Sequence, residues 1–310
     1  MTEENIMANT SFVGPIRSKN NYKLYSTTAS TGVEHDRTIG DPAKDARRYY
    51  LEEWFKRRPG LNANLDQAAT VEVQRTLNYD FEALGTNMTS ALVTFGATTG
   101  GILATTAGAD QDQAIILPHL DNDGTADTGA ITAWSGCQWG TENEVPWETS
   151  IMLPAIDNQK VWAGLKLTND QLVATDDDQI YFKFQTDATN SEAFTTFANW
   201  HVVHSIGGTD HISALPIAVA ANTPYHLKIE IDSDRKATAF VNGVQYNLTS
   251  TAGSTGGTSV TAVQPGVAVT KTAALTNDVD FIPYVGIEAG AGAAEAVNIH
   301  HVCMSRNVYE

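Results

Sequence analysis

The chain has 310 residues, 42% hydrophobic and 18% charged, with 36 Asp/Glu against 19 Lys/Arg for a net charge of −17. No apolar run approaches the roughly 18 residues of a membrane span, and the start MTEENIMANTSF lacks the apolar stretch of a secretory leader. Ten Lys/Arg and eight Asp/Glu fall in residues 1–60, leaving nine against 28 in residues 61–310, an acidic body that repels phosphate backbones and argues against nucleic-acid binding.

Residues 1–40 are rich in Asn, Ser and Thr, show no sustained hydrophobic period, and read as an extended arm. A helix is expected next, with Asp41 as N-cap, Pro42 at the first helical position and Pro59-Gly60 as its stop. Ala43, Ala46, Tyr50 and Trp54 recur at three- to four-residue spacing, with Leu51 and Phe55 beside them and a basic edge that includes Lys56. This helix either packs on its own β domain or docks on an acidic partner. In the second case Arg47, Arg48, Tyr50, Trp54, Phe55, Arg57 and Arg58 are the contact residues, because aromatic and arginine side chains anchor interfaces. Asp45, Glu52 and Glu53 interrupt the positive face and argue against a membrane-surface role. Residues 1–60 are therefore read as an N-terminal anchor and 61–310 as the main domain.

From about residue 70 the pattern is strand after strand. Expected strands are 91–95, 102–105, 114–117, 147–153, 161–167, 179–184, 200–205, 212–218, 225–232, 237–241, 244–248, 281–289 and 297–304. Within 225–248, Tyr225, Leu227, Ile229 and Ile231 alternate with polar residues, the period of a half-buried strand. Asp232-Ser233-Asp234-Arg235 breaks the pattern as a turn. After a second strand, Asn242-Gly243 supplies the two positive φ angles of a type I′ hairpin. The Ser/Thr/Gly-rich stretch 249–262 reads as a surface loop. Many short strands with no helical period after Gly60 define an all-β, two-sheet antiparallel sandwich.

Candidate chemistry is sparse. Glu230, Asp232 and Asp234 share strand parity and are the nearest approach to a glycosidase carboxylate set, although Asp232-Ser233-Asp234 reads better as a turn. The 121–127 run DNDGTAD has the oxygen ligands of a calcium loop but no bidentate Glu at the required distance. His201 and His204, three apart on a strand, point to opposite faces, as do His300 and His301, so neither pair chelates zinc. The expectation is no metal and no cofactor. Trp134, Trp139 and Trp147 lie close in sequence with acidic and amide neighbours, the makings of a sugar-binding platform or of core packing. Two cysteines, Cys137 and Cys303, do not make a disulfide scaffold and fit synthesis in a reducing cytoplasm.

The hairpin at 225–248, together with NYDFEALG at 78–85, GGILATTAGADQDQAIILPH at 100–119, the tryptophan-led strand 162–169 and the closing strand VNIHHVCMSR, resembles the concanavalin A-like jelly roll of laminin-G and pentraxin-type modules. It resembles in particular such domains in virion structural proteins of marine tailed phages. The resemblance implies a non-enzymatic head decoration or cement protein on the particle surface, made in the host cytoplasm. Its partners would be the major capsid protein or other virion proteins, bound through the N-terminal segment, with self-association left open. A carbohydrate-binding adhesin or fibre subunit is the alternative, and a laminarinase-type glycoside hydrolase ranks below both.

Overall fold

The computed structural model describes residues 22–27, 34–39, 48–56, 58–61, 78–96, 99–118, 139–167, 172–187, 194, 196–253, 255–290 and 292–307. The chain divides into two compact units, Met1–Arg47 and Arg48–Glu310. In the first, β1 (Tyr22–Thr27) and β2 (Glu34–Ile39) pair antiparallel from Tyr22 opposite Ile39 to Thr27 opposite Glu34. Within the stretch read as an extended arm, these two strands pair with each other.

The second unit begins with β3 (Arg48–Glu53), β4 (Pro59–Leu61), β5 (Asn78–Leu84), β6 (Val93–Phe95), β7 (Ile102–Thr105), β8 (Gln113–Pro118) and β9 (Trp139–Gly140). It continues with β10 (Pro146–Met152), β11 (Gln159–Lys166), β12 (Gln179–Gln185), β13 (Asn199–Ile206), β14 (Thr209–Ala218) and β15 (Pro224–Ile231). It closes with β16 (Ala237–Val241), β17 (Val244–Tyr246), β18 (Thr258–Ser259), β19 (Asp280–Ala289) and β20 (Ala296–Asn307). Among the described residues these strands form two sheets. The smaller runs β17-β16-β15-β10-β20-β7-β6, with β3 also paired to β20; the larger runs β18-β14-β13-β12-β11-β19-β8-β5-β4, with β9 paired to β19. The expected sandwich is present, and its strands are antiparallel except for the β14–β18 and β4–β5 pairs.

Alternation decides what faces the space between the sheets. Trp147, Ile151, Leu227, Ile229, Ala239 and Ile299 from the small sheet meet Val161, Phe182, Phe184, Trp200, Val202 and Ile287 from the large one in a single core. The 241–244 turn forms as the sequence requires, with φ of 50° at Asn242 and 77° at Gly243, and Val241 pairs with Val244 across it.

The expected helix is not there over its described part. Arg48–Glu53 is an edge strand, with Leu51 opposite Met304 and Tyr50 opposite Ser305. Aromatic residues suit a pleated, half-buried surface, and the exposed edge of β20 offered ladder bonds that local helix propensity could not outweigh. After the strand, Phe55 adopts φ 48° and turns its ring into the core, 5.5 Å from Phe81 in an edge-on contact. Asp41–Arg47 lie outside the described residues.

Candidate functional site

The face of the large sheet that points away from the small sheet carries a second buried cluster, including Leu84, Ile115, Trp162, Tyr181, Phe194, Val203 and Tyr284. Polar side chains are set into it in rows across the strands. One row reads Gln113 on β8, Glu288 on β19, Lys160 on β11 and Gln185 on β12. Gln113 Nε2 donates to Glu288 Oε2 at 2.8 Å, Lys160 Nζ donates to Glu288 Oε1 at 2.6 Å, and Asp187 Oδ2 lies 3.5 Å from the same Nζ. All three charged groups of this triad are shielded from solvent. The next row reads Ile115, Gly286, Trp162, Lys183, His201 and Ala214 from β8 to β14. A third sets Tyr284 and Tyr181 on either side of Gly164.

Trp162 and His201 are the informative members of the middle row. The Trp162 indole reaches over Gly286 on β19, because Gly286 has no side chain there: a Cβ at 286 would fall 2.4 Å from the indole Cε2. His201 Nδ1 sits 3.0 Å from the Asn199 carbonyl, so Nδ1 carries the proton and donates, leaving Nε2 as an acceptor lone pair. Burial first, and the positive charge of Lys183 after it, hold the imidazole down to about 4 against the opposing pull of the Asn199 bond, so it is neutral at pH 7. Phe194 packs on this end of the row, its ring 4.5 Å from the His201 ring and 5.2 Å below Lys183 Nζ. Trp162 Nε1 and His201 Nε2 are both buried and both lack a hydrogen-bond partner among the described residues. Each such orphan costs about 1–3 kcal/mol.

The residues singled out in the sequence fall elsewhere. Trp139 and Trp147 are fully buried in the inter-sheet core and present no ring face to a sugar; Trp134 lies outside the described residues. Trp147 belongs to the inward parity of β10, which composition cannot reveal. Of the expected docking residues, Tyr50 and Trp54 are 55% and 56% exposed on the outer side of the small sheet. The Trp54 Nε1 donates to Glu52 at 2.9 Å and its ring lies 4.1 Å from that of His301. Phe55 is withdrawn into the core, and Arg48 is tied to Ser305, Asn307 and the Glu144 carbonyl. Arg58 Nη1 donates to the Val93 carbonyl at 3.3 Å; Arg47 and Arg57 lie outside the described residues. The five described members therefore do not form one helical face.

Glu230 is held by Lys228 at 2.7 Å, while Asp232 Oδ1 accepts from the Asp234 and Lys236 amides. That is the polar turn, and no carboxylate pair results. His201 belongs to the outer face and His204 to the opposite one, where it stacks on His211 at 4.6 Å. The 121–127 loop and Cys137 lie outside the described residues. Cys303 is a free thiol that burial, then Glu148 and Glu52, push up to about 11.

No family model matches the chain, and no curated protein matches it. Solved structures of similar layout exist. A beta-glucanase of Bacillus licheniformis is 11% identical over 84% of this chain and 98% of its own, with a TM-score of 0.45. A protein of unknown function from Shewanella oneidensis MR-1 is 10% identical over 85% and 89%, with a TM-score of 0.44. The carbohydrate recognition domain of Emp47p is 8% identical over 84% and 96%, with a TM-score of 0.40. At this level the likeness describes the strand layout and carries no activity. It does correct one expectation. Beta-glucanase and alginate lyases are enzymes built on this layout, so the architecture gives no ground for calling the chain non-enzymatic.

Proposed function

We propose that the outer face of the large sheet binds a neutral oligosaccharide. The two orphan atoms of the middle row support this reading: a hydroxyl-rich ligand accepts from the Trp162 Nε1–H and donates to the His201 Nε2 lone pair, which a carboxylate could not do. The indole lies over β19 and His201 is on β13, three strand spacings or about 14 Å apart, so a ligand reaching both is longer than one sugar ring. The acidic balance of residues 61–310 favours an uncharged ligand over a polyanion. Trp162 is fully buried and His201 nearly so, and the Phe194 ring lies against His201, so binding requires the cover of this face, Phe194 included, to move aside. Calorimetric titration with neutral tetrasaccharides tests the proposal. Trp162→Phe and His201→Phe should each weaken binding about tenfold, the equivalent of one lost hydrogen bond; the absence of saturable binding, or unchanged affinity in both variants, counts against it.

The exposure of Tyr50 and Trp54 favours a second reading, in which the chain is a virion structural protein and the β3 rim contacts capsid protein on the particle surface. Trp54→Ala should then abolish binding to purified particles without unfolding the protein, and equal binding by that variant would exclude the β3 rim.

A further inference from the structure

The Lys160 triad lies beside the proposed saccharide row but is not used by it. An ammonium between two carboxylates, all shielded from water, is an expensive arrangement for packing alone. We propose that Lys160 and Asp187 are joined by an intramolecular amide, with Glu288 as the catalytic residue.

Three observations carry this. Lys160 Nζ stands 3.5 Å from Asp187 Oδ2, which the flexible four-carbon stem can close to amide bond length. Glu288 Oε1 contacts the same nitrogen at 2.6 Å, and Gln113 fixes its other oxygen at 2.8 Å, so a proton acceptor is already aligned on the amine. Lys160 and both carboxylate side chains are almost fully buried, so water does not compete for the amine. In the reaction the ammonium passes one proton to Asp187, leaving a neutral amine, a neutral Asp187 carboxyl and an ionised Glu288. The amine lone pair then attacks Asp187 Cγ. Glu288 takes a proton from the nitrogen and delivers it to the departing hydroxyl. One C–N bond forms, one C–O bond breaks and one water leaves, with no oxidant and no change of total charge. The product ties β11 to the chain leaving β12 and closes the 160–187 segment.

Mass spectrometry of the full, denatured chain reads the result whether or not a variant folds. The natural chain should be lighter than its sequence mass by one water, and a digest should contain one covalently joined pair of peptides carrying Lys160 and Asp187. Glu288→Gln, Asp187→Ala and Lys160→Arg should each restore the full mass. A natural chain at full sequence mass overturns the proposal. So does a loss of water that persists in Asp187→Ala or Lys160→Arg, because dehydration would then lie elsewhere.

Discussion

The indole of Trp162 fills the volume that any side chain at position 286 would need: a Cβ there would lie 2.4 Å from Cε2 and 2.8 Å from Nε1. Gly286→Ala must therefore push the indole off β19. Overpacking of this kind costs about 1–3 kcal/mol, so the urea midpoint should fall and saccharide affinity with it. A variant with unchanged midpoint would show that the indole has room to move.

Ile229 tests the inter-sheet core. It is fully buried, opposite Trp147 on one side and Ala239 on the other. Ile229→Ala should destabilise by about 2–5 kcal/mol in chemical unfolding. The exposed Trp54, by contrast, should change stability by no more than about 0.5 kcal/mol when replaced by Ala.

Gly243 tests the hairpin. Its φ of 77° admits glycine freely and an L side chain at a penalty. With open space around a Cβ at 243, Gly243→Ala should cost about 1–2 kcal/mol through backbone strain alone, read as a shift in the unfolding midpoint.

Stability should fall in mild acid for a reason that can be assigned. Burial lowers His201 to about 4, and burial followed by the stacked His211 lowers His204 to about 3, each from an ordinary 6.5. Below pH 6.5 the unfolded chain binds protons that the folded chain refuses. Each histidine thus removes about 1.4 kcal/mol per pH unit as pH falls from 6.5 toward its folded value, and nothing above 6.5. Urea unfolding at pH 7, 6 and 5 should show the slope, and His204→Phe should remove about one proton of it. An unaltered slope in that variant would mean that His204 is protonated in the folded protein.

Most of the sandwich was legible because its strands alternate. At 225–231 and 237–241 the apolar parity alone named the inward residues, and Asn242-Gly243 named the turn. The β3 strand was not legible: Tyr50 and Trp54 sit four apart, which satisfies a helix, while the pairing that made a strand of them comes from β20, some 250 residues later. The outer-face row was missed for a different reason. Lys160, Trp162, Gly164 and Lys166 share one strand parity, and lysines on one face of a strand read as a solvated surface. Only the fold reveals that this face is covered, that Gly286 opens a place for the indole, and that Lys160 lies between Glu288 and Asp187. The tryptophans chosen as a sugar platform were prominent by composition, yet Trp139 and Trp147 belong to the core.

Phe194 should compete with the ligand. Phe194→Ala removes the ring tilted against His201 at 4.5 Å and should tighten oligosaccharide binding while lowering thermal stability. Weaker binding would instead make Phe194 part of the recognition surface.

The saccharide proposal meets its most direct test in the indole N–H resonance of Trp162, assigned by its disappearance in Trp162→Phe. In the free protein this proton has no acceptor among the described residues. Titration with neutral tetrasaccharides should shift it saturably, with the same dissociation constant as calorimetry, and the His201→Phe variant should require about tenfold more ligand for the same shift. A resonance that stays in place at ligand concentrations giving a saturable calorimetric signal would put the sugar elsewhere on the molecule. No response by either method would contradict oligosaccharide binding altogether.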